Sequence, residues 1–431
     1  MKTISRSTVT YLDGMTFHED NPPWIKTPVK GSVDETPIAN LKPNLRKNIY
    51  YESLKLIFLV LTMTGTLPVF RLKIASHKIQ VLVCGGICLS VYVLFAYLSY
   101  SVTVHILRLI LHDDDFSSVT IQVTLMMLLT QHVFYFLLTW PESIAVNRYL
   151  VRWREFETQF KLVVGSELKL NCRNKIALML MGSTFLAAIY PHFLDRIDDK
   201  SIKSKTDYLV ISYHIFIQLC FYTLWFSNGS AIMQASRQYY QHLARECAAD
   251  ITADRLEDYR LVWMRLTQLV RDGSSMLSYT MAFMVTTPFA YEVIAAYNLT
   301  IYVIQSIQSG DPGDSAEAIA TGLTFLFYGS LLYMFCNSGH CMTTECERVQ
   351  EILFVHNPKS HLTQGRVNNE LRLFLRCVRS VPPLATLSGY VTINRKVFLH
   401  LTGVLVTYLI ILVQFNISSI HNGKKSVTEQ I

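Results

Sequence analysis

An all-α polytopic membrane protein with seven transmembrane helices, its N-terminus cytoplasmic and its C-terminus extracellular, is the fold class this sequence predicts. Three observations carry that prediction. The chain has 431 residues, 51% of them hydrophobic and only 16% charged, at a mean hydropathy of +0.27. Its apolar residues come in long blocks, and about 20 apolar residues are what a helix rising ~1.5 Å per residue needs to cross a hydrocarbon core of ~30 Å. The basic residues gather on one side of those blocks, which is the asymmetry of a cytoplasmic face.

Residues 1–50 are polar and contain Pro22, Pro23, Pro37 and Pro43. No apolar core followed by a small-residue cleavage site stands there, so a cytoplasmic segment without a cleaved signal peptide is expected. Residues 51–233 hold spans one to four. The first apolar stretch, 54–70, is short and interrupted by Lys55, Gly65 and Pro68, which suits a re-entrant or interfacial helix. The spans follow at 79–100, 121–140, 176–193 and 208–233. A helical cytoplasmic extension is expected over 234–275, because Leu256, Tyr259, Val262, Trp263, Leu266 and Leu269 recur on one helical face. Spans five and six lie within 276–336. A cytoplasmic anchor region follows over 337–396, patterned by Val349, Ile352, Leu353, Leu371, Phe374 and Leu375. Residues 397–415 form the seventh span, about 28 Å long as a helix, and 416–431 form a short extracellular tail.

Charge fixes the direction. If 54–70 does not cross, segments 1–78, 141–175, 234–275 and 337–397 share one face and hold 32 of the 39 Lys and Arg. The opposite face carries the acidic loops around Asp113 to Asp115 and Asp311 to Glu317. This is the reverse of a G-protein-coupled receptor. The net charge of +7 is spread over membrane-flanking loops and forms no compact patch, which argues against nucleic acid as a partner.

In the last span Thr407-Tyr408 is followed, five aliphatics later, by Gln414-Phe415. The pattern and its place resemble the signature of insect gustatory receptors, a family of ligand-gated cation channels related to insect odorant receptors. The resemblance covers about residues 50–417. It implies a non-selective cation channel subunit in the plasma membrane of chemosensory neurons, gated by a small-molecule tastant or gas and assembled with other gustatory receptor subunits as a homo- or heterotetramer within membrane lipid. Leu409 stands where sugar-sensing members carry an acid. The segments Ser388 to Lys396, Leu256 to Trp263 and Leu331 to Asn337 are similar to the carbon-dioxide-sensing branch, whose members work as heteromers; Tyr390-Val391 replace the Phe-Phe pair of fructose-type receptors. A fructose-like or bitter-compound receptor is the alternative within the family. A secondary transporter is the alternative outside it, although no inverted repeat is apparent.

The resemblance places Gln414 and Phe415 at the narrowest part of a central pore, as a polar ring and an apolar gate. Thr407 and Tyr408 are expected to be structural, the first bonded within its own helix and the second packed on span six. The family's pocket lies in the outer halves of the spans, where Tyr190, Tyr213, His214, Tyr291, Phe325 and Tyr328 are candidate contacts. Glu292 joins them as the only acid well inside a span, where His132, His214 or tyrosines are possible partners. A pocket without a cation favours neutral carbon dioxide over bicarbonate. His340, Cys341, Cys346 and His356 match no zinc spacing, so no metal is expected. No cofactor is expected either, and the absence of a phosphate loop, nucleophile elbow or catalytic carboxylate pair argues against an enzyme.

Overall fold

The computed structural model describes residues 48–68, 77–111, 116–197, 205–249, 251–309, 315–355, 365–387 and 389–428. The acidic residues 113–115 and 311–314 lie outside them, as do residues 1–47. In chain order the helices are α1 (Ile49–Met63), α2 (His77–Ile110), α3 (Phe116–Val164), α4 (Arg173–Ile197), α5 (Lys205–Ala248), α6 (Ala253–Ser275), α7 (Ser278–Ser309), α8 (Ser315–Glu347), α9 (Val349–Val355), α10 (Gly365–Ser380) and α11 (Arg395–Thr428). A two-stranded antiparallel hairpin, β1 (Thr386–Leu387) and β2 (Val391–Thr392), separates α10 from α11.

Each stretch read as a span falls in its own long helix: α2, α3, α4, α5, α7, α8 and α11. Among the described residues, four stretches are long and apolar enough to cross a membrane by length and composition: Gly85–Arg108, Lys205–Ala248, Ala318–Val355 and Arg395–Gln414. Pro288 lies inside α7 without ending it. α11 continues to Thr428, beyond the apolar run that ends at Phe415.

α3 has 49 residues and α5 has 44, so they are about 73 and 66 Å long, over twice a ~30 Å hydrocarbon core. Their C-terminal parts therefore project into a second helical layer. There α6 buries the predicted face, Leu256, Tyr259, Val262, Trp263, Leu266 and Leu269, against α3 and α10. α10 answers with Leu371, Phe374 and Val378, and the Trp263 and Phe374 ring centroids lie 6.0 Å apart. The Arg260 Nε donates to Glu370 at 2.5 Å with both side chains at most 15% exposed, while Arg366 and Asp254 are over 70% exposed. Apolar burial supplies the adhesion; the shielded pair sets how α6 and α10 register, and the exposed one adds little.

α5 is the hub, packed against α1, α2, α3, α4 and α8. α1 is held to it at both ends. The Tyr50 hydroxyl donates to Asn228 Oδ1 at 2.9 Å near one end, and the Tyr213 hydroxyl donates to the Thr64 carbonyl at 2.7 Å at the other. The N-terminus of α1 is capped from α3: Glu157 accepts the Ile49 and Tyr50 amides at 3.0 and 2.8 Å, while Asn48 accepts that of Tyr51. Tyr50 stacks on Trp153 with centroids 4.3 Å apart. α1 closes at Gly65, whose φ is +77°, with the Thr66 and Leu67 amides both donating to Leu61. Any side chain at Gly65 would meet the Cys88 carbonyl at 2.7 Å.

Candidate functional site

Tyr190 on α4, Tyr291 on α7 and Tyr328 on α8 come together. The Tyr190 and Tyr328 hydroxyls are 3.3 Å apart, and the Tyr291 and Tyr328 ring centroids 4.8 Å. The cluster runs on to α3, where Gln131 Nε2 donates to the Tyr291 hydroxyl at 2.8 Å and the Tyr135 hydroxyl donates to Gln131 Oε1 at 3.2 Å. Gln131, Tyr135, Tyr291 and Tyr328 are each 1% exposed. A buried polar chain of this kind is stable because nearly every hydroxyl and amide finds a partner.

Tyr190 also borders a pocket of about 230 Å³ between α4 and α8, lined by Leu186, Ile189, Tyr190, Leu323, Thr324 and Phe327. Its lining offers hydroxyls from Tyr190 and Thr324 and no charged side chain. It suits a small neutral ligand with little hydrogen-bonding demand.

The other candidates stand elsewhere. Tyr213 stacks on Phe95 of α2, centroids 3.5 Å apart, and His214 Nδ1 lies 2.6 Å from the Val210 carbonyl within its own helix. Phe325 is half-buried outside the pocket lining, which takes Phe327 instead. Glu292 is buried, with its carboxylate 2.9 Å from where a side chain on Gly329 of α8 would begin. Among the described residues no hydrogen bond or ion pair engages it; the side chain of His132 lies outside them. Gln131 was missed, though a glutamine within the stretch 121–140 is itself a signal.

α8 carries the pocket residues at one end and grips the start of α11 at the other. The Tyr333 ring meets Phe398 edge-on at 5.4 Å, Arg395 Nε donates to Asn337 Oδ1 at 2.8 Å, and the bare backbone of Gly339 receives Ile393. The hairpin is tied to the end of α6, where the Thr386 amide donates to Ser274 Oγ at 3.1 Å. Two segments quoted above, Leu331 to Asn337 and Ser388 to Lys396, thus meet in one junction.

Beyond that junction α11 is nearly bare as far as Gln414. Only 6% of its apolar window is buried, against 78% in α5. Thr407 donates to the Gly403 carbonyl of its own helix at 2.9 Å. Tyr408 is 54% exposed rather than packed on α8, because α11 meets its neighbours mainly through residues such as Phe398 and Leu405. Gln414 is exposed, and the Phe415 side chain lies outside the described residues. Among the described residues no group of three or more His, Cys, Asp or Glu is placed to hold a metal ion.

Residues 54–419 of this helical chain match the family described as 7tm Chemosensory receptor. The chain belongs to this insect gustatory and odorant receptor family, which is a family of receptors rather than enzymes. It is 25% identical over 405 residues to Gustatory and odorant receptor 24 of Anopheles gambiae, covering 91% of this chain and 82% of that one. To Gustatory and odorant receptor 21a of Drosophila melanogaster it is 21% identical over 380 residues, covering 86% and 81%. The fold is similar to the insect olfactory receptor OR5 from Machilis hrabei, with a TM-score of 0.54 at 12% identity over 84% of this chain and 98% of that one.

Proposed function

We propose that the chain is a subunit of a ligand-gated, non-selective cation channel that opens on a taste or gas stimulus. Its seven long helices cross the plasma membrane of a chemosensory neuron, with the N-terminus in the cytosol and the C-terminus outside. The observation that carries this reading is the bareness of α11. An apolar helix with Leu399, Val406, Tyr408 and Ile410 each about half or more exposed needs lipid and other subunits to cover it. Four subunits meeting along α11 provide that cover and leave a central path, with Gln414 as a ring of amides that partly replaces ion hydration and Phe415 as an apolar constriction. The layer formed by 234–275 and 337–396 acts as the cytoplasmic anchor between subunits.

The stimulus binds at the α4–α8 pocket, beside Tyr190 and Tyr328. It opens the pore by favouring a second position of α8, which moves α11 through the junction at Asn337 and Gly339; only a difference in ligand affinity between the two positions can do this. The charge-free lining supports a neutral ligand. Carbon dioxide, detected in a heteromer with related subunits, is the proposed stimulus, supported by the likeness of Leu256 to Trp263, Leu331 to Asn337 and Ser388 to Lys396 to that branch. Patch-clamp recording with and without co-expressed relatives tests the proposal. Single-channel steps evoked by carbon dioxide are expected. Saturable uptake of the ligand with no conductance would contradict it.

A further inference from the structure

We propose that the groove between α1 and the start of α4 binds the headgroup of an anionic phospholipid. A pocket of about 280 Å³ lies there, lined by Glu52, Ser53, Lys55, Leu56, Leu59 and Arg173. Two cations, Lys55 from α1 and Arg173 from the first turn of α4, face one space, and among the described residues no ion pair engages either. Ser53 Oγ donates to its own helix at Ile49, so the polar end of the groove is chiefly cationic, tempered by Glu52.

The second observation is the gradient along α1. Its inner face, Tyr50, Leu54, Ile57, Phe58 and Leu61, is buried in the protein. Its outer face begins with Glu52 and Lys55 and then turns wholly apolar at Leu56, Leu59 and Met63, which are 38, 51 and 56% exposed. From Lys55 to Met63 is eight residues, about 12 Å, close to one leaflet of a hydrocarbon core ~30 Å thick. A cationic end continuous with an apolar track one leaflet long has the shape and polarity of a phospholipid. Arg173 precedes the span at 176–193 on the basic face, where the anionic inner leaflet supplies such lipids. A free phosphate or an acidic peptide would use the cations but leave the track at Leu59 and Met63 uncovered.

The assignment of this face to the inner leaflet rests on the topology proposed above; binding in micelles is read without it. Full-length protein in detergent is heated with added phosphatidylserine, phosphatidylcholine or inorganic phosphate. The unfolding midpoint is expected to rise with phosphatidylserine and to lose that rise in Lys55→Gln/Arg173→Gln, while Arg372→Gln/Arg376→Gln on α10 keeps it. An equal rise in the Lys55/Arg173 variant, or with phosphatidylcholine, overturns the proposal. An equal rise with inorganic phosphate overturns the lipid assignment in favour of a simple anion site. Photoreactive phosphatidylserine on the unaltered protein makes the test independent of variant folding: adducts are expected within 52–63 or the first turns of α4, and adducts found only elsewhere overturn it. No phosphatidylserine effect on the unaltered protein, with intact stimulus-evoked current, refutes this site alone and leaves the channel reading standing.

Discussion

Arg395, the first residue of α11, donates from Nε to Asn337 Oδ1 on α8 at 2.8 Å. It thereby joins the helix that lines the pocket to the helix proposed to line the pore. A hydrogen bond to a charged donor contributes about 1.5–3 kcal/mol, less when exposed as here. Asn337→Ala and Arg395→Ala are each expected to shift the half-activating stimulus about tenfold at unchanged surface expression. The double variant should shift no further than either single one, and dose–response curves in a double-mutant cycle check this.

Gly339 is where α8 and the segment before α11 touch most closely. A Cβ there would lie 2.6 Å from Ile393 Cγ2 and 2.7 Å from the Ile393 carbonyl, which is backbone and cannot rotate away. Gly339→Ala is expected to destabilise the protein by ~1–3 kcal/mol. Gly329→Ala meets only the flexible end of Glu292, at 2.9 Å, and should cost less. Thermal unfolding of the two purified variants side by side measures the contrast.

Gln131 supplies the donor to the buried Tyr291 hydroxyl. Gln131→Leu leaves that hydroxyl without it and is expected to destabilise by ~1–3 kcal/mol, whereas adding Tyr291→Phe should recover part of the loss. Additive losses in the double variant would mean that the two side chains do not act as a pair.

Glu157 caps α1 from the C-terminal part of α3. Burial raises its carboxyl from 4.5 to about 7, against the opposing pull of the Tyr50 and Ile49 amides and Arg154. Since the folded value lies above the unfolded one, the folded state holds the extra proton between these values. Stability from this group is therefore full below about pH 4.5, falls as pH rises, and levels off above about pH 7, by up to ~3 kcal/mol. Unfolding midpoints of the unaltered protein and Glu157→Gln across that window should diverge with pH; parallel profiles would contradict the assignment.

The long helices were legible because membrane spans and the α6 face repeat along the chain: the face at Leu256 to Leu269 is buried as its spacing predicts. What could not be read is which distant residues meet. Nothing local pairs Arg260 with Glu370, or brings Gln131 to Tyr291, because such contacts depend on how the helices rotate about their axes. The aromatic candidates show the same limit. Tyr190, Tyr291 and Tyr328 turn toward one another, while Tyr213 turns toward α1 and α2, and no feature of their own turns distinguishes them. Phe327 rather than Phe325 lines the pocket for the same reason, two residues being roughly 200° around a helix.

The pore assignment of α11 is tested most directly by the reversal potential of stimulus-evoked current in Gln414→Ala, measured in bi-ionic solutions at matched surface expression. A changed permeability ratio between cations is expected, because a ring of amides at Gln414 would be lost from the ion path. An unchanged ratio, with normal current, would remove Gln414 from that path and contradict a pore lined by α11 at this position.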